Sequence, residues 1–183
     1  VTLAGRGRWT LYPGRARLSD AASPDLRGRS FSITADVVLP TAADHGVLIS
    51  HGDRHGGYAV QVDAGRLVHH HVHAGTHSVV RSTAQLPVGR VVRLEVQVQR
   101  RGKSGLVVLL VDKAVAGEGT IPALARARTG YTGVDVGCDR GLTVGGYPAP
   151  ARFTGLLRCV EIDAADDQWL DEEAVLEIEG TTG

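Results

Sequence analysis

Five of the eight histidines in this 183-residue chain fall between His69 and His77. The run His69-His70-His71-Val72-His73 is the densest chemistry in the sequence. On a β-strand His69, His71 and His73 project to one face and His70 to the other. Same-face imidazoles two residues apart can converge on zinc at the usual Zn–N distance of ~2.0–2.1 Å. His69, His71 and His73 are therefore the candidate metal ligands, with His77, or His51, Asp53 or His55 from an adjacent strand, available to complete the set. The same pattern also serves packing, with imidazoles taking the place of aromatic rings on a half-wet face. On either reading, imidazoles with an ordinary pKa of about 6.5 charge below about pH 6 and loosen that face.

Other chemistries find less support. Asp135 and Asp139 flank Gly137, and Asp53 sits in a turn, where rim carboxylates can hold calcium. Calcium takes six to eight oxygens, however, and no dense Asp/Asn run supplies them. No G-x-S-x-G elbow offers a serine nucleophile. Glu95 stands alone on its strand face, without a second carboxylate for glycoside hydrolysis. The aromatic residues able to stack on a sugar ring are few: Trp9, Tyr58, Tyr131 and Tyr147. Cys138 and Cys159 lack a C-x-x-C partner, which disfavours a zinc knuckle or a redox pair. A disulfide between them and two free thiols both remain open.

Short reversing strands must position these groups. The pattern predicts strands over Phe31–Leu39, Gly46–His51, Tyr58–Val62, Arg66–His73, Val91–Gln99, Leu106–Val111 and Phe153–Ile162, with Val134–Asp139 closing the series. Phe31, Ile33, Ala35, Val37 and Leu39 alternate with Ser32, Thr34 and Asp36; Val92, Leu94, Val96 and Val98 repeat the pattern. Asp63-Ala64-Gly65, Ala74-Gly75, Pro87-Val88-Gly89 and Asp112-Lys113 read as reversals. Trp9, Leu11 and Tyr12 suggest a first edge strand. Two longer loops, about Gly119–Thr132 and Asp139–Arg152, are where a binding function would sit. Asp166–Glu177 reads as a helix capped by Asp166 or Asp167, stopped by Gly180 and pinned by Trp169 and Leu170. The expected fold is an all-β, antiparallel two-sheet jelly-roll sandwich with a short C-terminal helix.

The composition fits one domain, with an irregular lead-in over 1–29, a sandwich over 30–163 and a helical tail over 164–183. Apolar residues make up 43% and aromatic residues only 4%, so the core must be built from Val, Leu, Ile and Ala. Twenty basic residues balance twenty acidic ones, which argues against a general nucleic-acid binder. No apolar run approaches the ~20 residues that span a bilayer, so no membrane partner is expected. The amino end, Val1-Thr2-Leu3-Ala4-Gly5-Arg6, lacks a signal-peptide pattern and reads as sequence from within a longer chain.

Several segments, in order, carry a family likeness: Trp9–Gly14, Ser30–Val37, Gly46–Gly57, Leu110–Gly119, Val134–Asp139 and Phe153–Asp163. With them the chain resembles the C-terminal, non-catalytic domain of bacterial arylsulfatases, of actinobacterial type, a laminin-G or concanavalin-like jelly roll. The likeness covers nearly the whole chain up to Asp163. It implies a sulfatase catalytic domain as partner, where a Cys or Ser in a C/S-x-P-x-R signature becomes formylglycine. This chain has no such signature: Cys138 precedes Asp-Arg-Gly-Leu, Cys159 precedes Val-Glu-Ile-Asp, and Ser23-Pro24-Asp25-Leu26-Arg27 has its proline one place early. No catalytic residue is therefore expected here, and no cofactor is required, zinc or calcium being optional. Where the family runs Tyr-x-Tyr-Asn-Phe, this chain has His69–His73. The expected role is an accessory domain of an arylsulfatase-like hydrolase. The alternatives are a free-standing lectin-like module for glycans, perhaps sulfated ones, and a zinc-dependent enzyme on the histidine strand.

Overall fold

The computed structural model describes residues 7–14, 16–126 and 132–170. In chain order the strands are β1 (Gly7–Leu11), β2 (Phe31–Val38), β3 (Gly46–Asp53), β4 (Gly56–Asp63), β5 (Arg66–His73) and β6 (Thr76–Arg81). They continue with β7 (Val91–Arg101), β8 (Ser104–Val111), β9 (Ala114–Ile121), β10 (Val134–Val136) and β11 (Leu156–Ala164). One sheet runs β1-β11-β2-β7-β8-β9 and the other β10-β3-β4-β5-β6. Every ladder is antiparallel, so the two-sheet sandwich read from the alternation is the one observed.

The inner faces meet over Ile33, Ala35, Val37, Leu94, Val96, Val98, Val107 and Leu109 from the first sheet and Ile49, Val60, Val62 and Leu67 from the second. Each large aliphatic side chain buried there contributes about 1.5–3 kcal/mol relative to exposure. That is how a chain so poor in aromatics holds two sheets together. β1 is an edge strand paired with β11, as Trp9 and Leu11 suggested, and Trp9 stands opposite Ile162 against the core.

Two-residue turns fix the second sheet. Ala64-Gly65 and Ala74-Gly75 both take left-handed φ values, 48° and 68° in the first, 49° and 76° in the second. These are the turns whose twist matches that of the flanking strands. They pair Asp63 with Arg66 and His73 with Thr76. β6 and β9, absent from the sequence reading, follow the same logic after Ala74-Gly75 and Asp112-Lys113.

Three expectations are corrected. Residues 166–170 are not helical: the Asp167 carboxylate accepts the Ser30 backbone N–H at 2.8 Å and its hydroxyl at 2.6 Å. Trp169 N–H donates to the Gly28 carbonyl at 2.8 Å. These bonds to the lead-in replace the ones a helix start would need; the remainder of the expected helix lies outside the described residues. Cys138 lies just beyond β10 rather than in a strand, and both cysteines are free thiols, Cys138 buried and Cys159 half-buried. The loop 139–152 does not stay at the rim. It folds over the outer face of the second sheet, burying Ala59, Val72 and Val144, with Tyr147 packed on them. Among the described residues no helix is long and apolar enough to cross a membrane.

Candidate functional site

The register of the second sheet places His51, Tyr58, His71 and Ser78 in one cross-strand row. Because Tyr58 packs in the core, this row lies on the inner face. One row deeper stand Ile49, Val60, His69 and Val80; one row further out are Asp53, Gly56, His73 and Thr76. The inner face thus changes from aliphatic to polar toward one end of the sandwich. There it opens.

The lead-in closes over that end. A single 3-10 turn, Asp20–Ala22, brings Asp20 Oδ1 to 2.9 Å from His51 Nε2. Arg27 donates from Nε and Nη2 to the two oxygens of Asp25, both at 2.8 Å. Burial raises the pKa of the Asp25 carboxyl, but those bonds outweigh it and hold the group at about 2. Leu26, Phe31 and Leu124 supply apolar wall. Together with Gly52, Gly56, Gly57, Tyr58 and His71 these elements surround a half-open cleft with a cavity of about 70 Å³.

Two aromatic contacts shape the cleft. The His51 ring meets Tyr58 edge-on at 5.6 Å between centroids, and Phe31 lies 6.1 Å from Tyr58 on the other side. The Tyr58 hydroxyl is buried without a hydrogen-bond partner among the described residues; the His71 nitrogens are buried too and make no bond of normal geometry, with the Ala123 backbone as a polar neighbour. Burial pushes the Tyr58 hydroxyl pKa well up and the His71 imidazole down to about 4. At neutral pH both are uncharged groups able to donate and accept. A cleft with an apolar wall, a charged rim and unspent hydrogen-bond capacity behind it suits a hydroxyl-bearing ligand group.

The sequence-derived candidates scatter over the fold. Tyr58 lines the cleft. Trp9 packs on the core from the edge strand β1, away from the cleft lining. Tyr147 lies on the outer face of the second sheet, where its hydroxyl donates to Asp139 Oδ2 at 2.8 Å. Tyr131 lies outside the described residues. His69 and His71 share a face as expected, with ring centroids 6.4 Å apart, but that face is the buried interior rather than a half-wet surface. His73 is half-buried at the open end. Among the described residues, no three His, Cys, Asp or Glu side chains converge as a metal site.

The carboxylates weighed for calcium have protein partners. Asp135 accepts from Arg17, Asp139 from Tyr147, and Asp53 from the His55 backbone N–H at 2.8 Å. Asp20, Asp25 and Arg27, which frame the cleft, escaped the sequence reading. Ser23-Pro24-Asp25, a turn-forming sequence, is the local sign that the lead-in folds back.

No protein-family model and no curated protein matches the sequence. Solved structures do match. The CBM40 of the Ruminococcus gnavus IT-sialidase superposes with a TM-score of 0.59 at 12% identity, over 82% of this chain and 83% of that one. The same module bound to α2,3-sialyllactose gives 0.55 over the same shares, again at 12% identity. Domains LG4-5 of the mouse laminin α1 chain give 0.53 at 14% identity, over 90% of this chain; the present chain spans 42% of that pair. Likeness at such identities is likeness of fold, and the fold is a laminin-G/concanavalin-like jelly-roll sandwich.

Proposed function

We propose that this chain is a non-catalytic, lectin-like module that binds a glycan at the cleft between the lead-in and the β3–β4 hairpin. The observation that carries the reading is the unpartnered Tyr58 hydroxyl, with the His71 imidazole beside it, behind the wall of a half-open cleft framed by Asp20, Asp25 and Arg27. A sugar presents a C–H face that packs on Phe31 and Leu124, and its hydroxyl groups reach Tyr58 and His71 once the cleft wall shifts to uncover them, since both are closed to solvent in the free fold. The CBM40 likeness supports it, since that module has been solved with a sialylated trisaccharide. The test is titration of the purified chain against neutral, sialylated and sulfated glycans, with and without chelator, followed by amide shifts. Shifts confined to residues 20–27, 51–58, 71 and 124 are expected. Binding that leaves those amides unmoved, or no binding across the panel by folded protein, rejects the reading.

An accessory role beside a sulfatase catalytic domain is the second reading. The arylsulfatase resemblance suggests it, and one surface feature favours it. Leu156, Val38 and Val91 form a cross-strand row on the outer face of the first sheet, with Leu156 and Val91 exposed. Exposed apolar rows of this kind suit a packed partner. If the parent reading frame carries a C/S-x-P-x-R domain, Leu156→Asp is expected to weaken its association with this one. Undiminished association would remove this row from the interface.

A further inference from the structure

On the outer face of the second sheet, His70 of β5 and His77 of β6 meet head-on. His70 Nδ1 and His77 Nε2 are 2.9 Å apart, and the ring planes differ by only 18°. The centroids are 5.2 Å apart, little more than the nitrogen separation plus the two ring radii, so the rings meet edge to edge rather than face to face. Two imidazole nitrogens share one hydrogen. His70 is buried under the 139–152 loop, and the Tyr147 ring abuts it edge-on at 5.5 Å. Gly145 passes so close that an added Cβ would lie 2.7 Å from His70 Nδ1. One ligand is thereby fixed. The other, His77, is exposed on the sheet-edge strand and free to adjust.

We propose that His70 and His77 form a two-imidazole chelate for a divalent first-row transition metal ion, with solvent completing the coordination. At Zn–N distances of ~2.0–2.1 Å, two nitrogens on a tetrahedral ion stand roughly 3.3 Å apart, so the pair must open by about 0.4 Å, and the exposed His77 ring must swing so that its lone pair, aimed at His70 Nδ1 in the hydrogen bond, turns to converge on the ion. The ring that carries the shared hydrogen changes tautomer as the ion binds: its proton passes by way of solvent to the other ring nitrogen, and both imidazoles stay neutral. Neither ring bears a competing charge at neutral pH, since burial keeps both imidazoles below their ordinary range. The nearest charges, Arg81 and Asp63, offset one another in an ion pair of 2.7 Å. Imidazole ligands rank copper(II) above zinc. The ion would tie the edge strand β6 to β5, and this role is independent of glycan binding in the cleft.

Calorimetric titration of the tag-free chain with Zn²⁺ and Cu²⁺ at pH 7 tests it, beside His77→Ala, His45→Ala and His55→Ala. The three substituted histidines are all exposed, so each variant should fold. One ion per chain is expected, with affinity falling at least about tenfold in His77→Ala and unchanged in the other two. The melting temperature should rise with Zn²⁺ in the unaltered chain and not in His77→Ala. No binding, equal binding by His77→Ala, or a loss centred on His45 or His55 overturns the proposal.

Discussion

His71 stands directly opposite Tyr58 in the β4–β5 ladder, and the Tyr58 hydroxyl has no hydrogen-bond partner among the described residues. A buried polar group without a partner costs about 1–3 kcal/mol. That is a standing cost to the fold, which a ligand can relieve.

Tyr58→Phe separates stability from binding. The substitution keeps the ring against Phe31 and His51 and removes only the unpartnered hydroxyl. Thermal stability should hold or rise, by up to about 1 kcal/mol, while glycan affinity falls about five- to tenfold. A variant that melts earlier and binds as well would mean that the hydroxyl serves the fold and not the ligand.

Gly52 allows β3 and β4 to approach closely beside the cleft. Its φ is +90°, and a Cβ there would lie 2.1 Å from the Gly56 carbonyl oxygen. Gly75 has a φ of +76° with nothing within 4 Å, so it carries the backbone penalty alone. Gly75→Ala should cost about 1 kcal/mol and leave binding intact. Gly52→Ala should cost about 2–4 kcal/mol, strain and collision together, and weaken the glycan as well. Equal melting temperatures for the two variants would contradict the close approach.

Much of this site was legible in turn chemistry. Once Asp63-Ala64-Gly65 is read as a two-residue reversal, Asp63 must pair with Arg66 and, five residues further along each strand, Tyr58 with His71. The alternation then gives Tyr58 and His71 a common face. What alternation does not give is which face is inner. A strand reading His-His-His-Val-His has no apolar partner set to mark the core side, so His69 and His71 passed for a half-wet surface. β9, Ala114–Ile121, was hidden by its glycines. The lead-in was hidden for a different reason: its position rests on side chains distant in sequence, Asp20 on His51 and Arg17 on Asp135, which no local pattern encodes.

Arg17 anchors that lead-in. Its guanidinium donates to Asp135 Oδ2 from Nη2 at 2.5 Å and from Nε at 3.0 Å, and Asp135 is buried. Leu18 and Val134 add a pair of backbone bonds, both 3.0 Å. Arg17→Ala leaves a buried carboxylate with the Arg140 N–H at 3.1 Å and the longer Arg140 Nε contact at 3.7 Å. With allowance for the partial exposure of Arg17, the loss should be about 2–4 kcal/mol. Adding Asp135→Asn should restore part of it, because the stranded charge goes. Since the same segment carries Asp20 and Asp25, glycan affinity should fall with the single change. Chemical denaturation of the two variants, with binding measured in parallel, decides whether the ion pair holds the cleft wall.

The buried histidines make stability depend on pH, though by a route opposite to the one the sequence suggests. The buried histidines of the folded chain do not charge just below pH 6. Burial, reinforced by His71 and His70, keeps His69 well below its ordinary range, and burial with the neighbouring His77 and Arg81 lowers His70 to about 4. His71 is also held at about 4, again by burial first and then by His73. In the unfolded chain the same groups titrate near pH 6.5, as free imidazoles do. Between those values the unfolded state binds more protons than the folded one, so stability falls as pH falls. The loss begins near pH 6.5 and, for His70 and His71, levels off below about pH 4. Each such histidine contributes at most about 1.4 kcal/mol per pH unit within that window. Asp25, depressed by Arg27, acts lower: its contribution is intact above its unfolded pKa and is lost only on descent toward about 2. The melting temperature should therefore hold nearly level from pH 7.5 to about pH 7 and then drop toward pH 5, while imidazole ¹⁵N shifts of the folded protein still report neutral rings at His69, His70 and His71. His71→Leu should flatten the slope by about a third, leaving His69 and His70 to carry the rest. A melting temperature that stays level over that range would mean the three imidazoles are protonated in the fold, and the buried row would have to admit water.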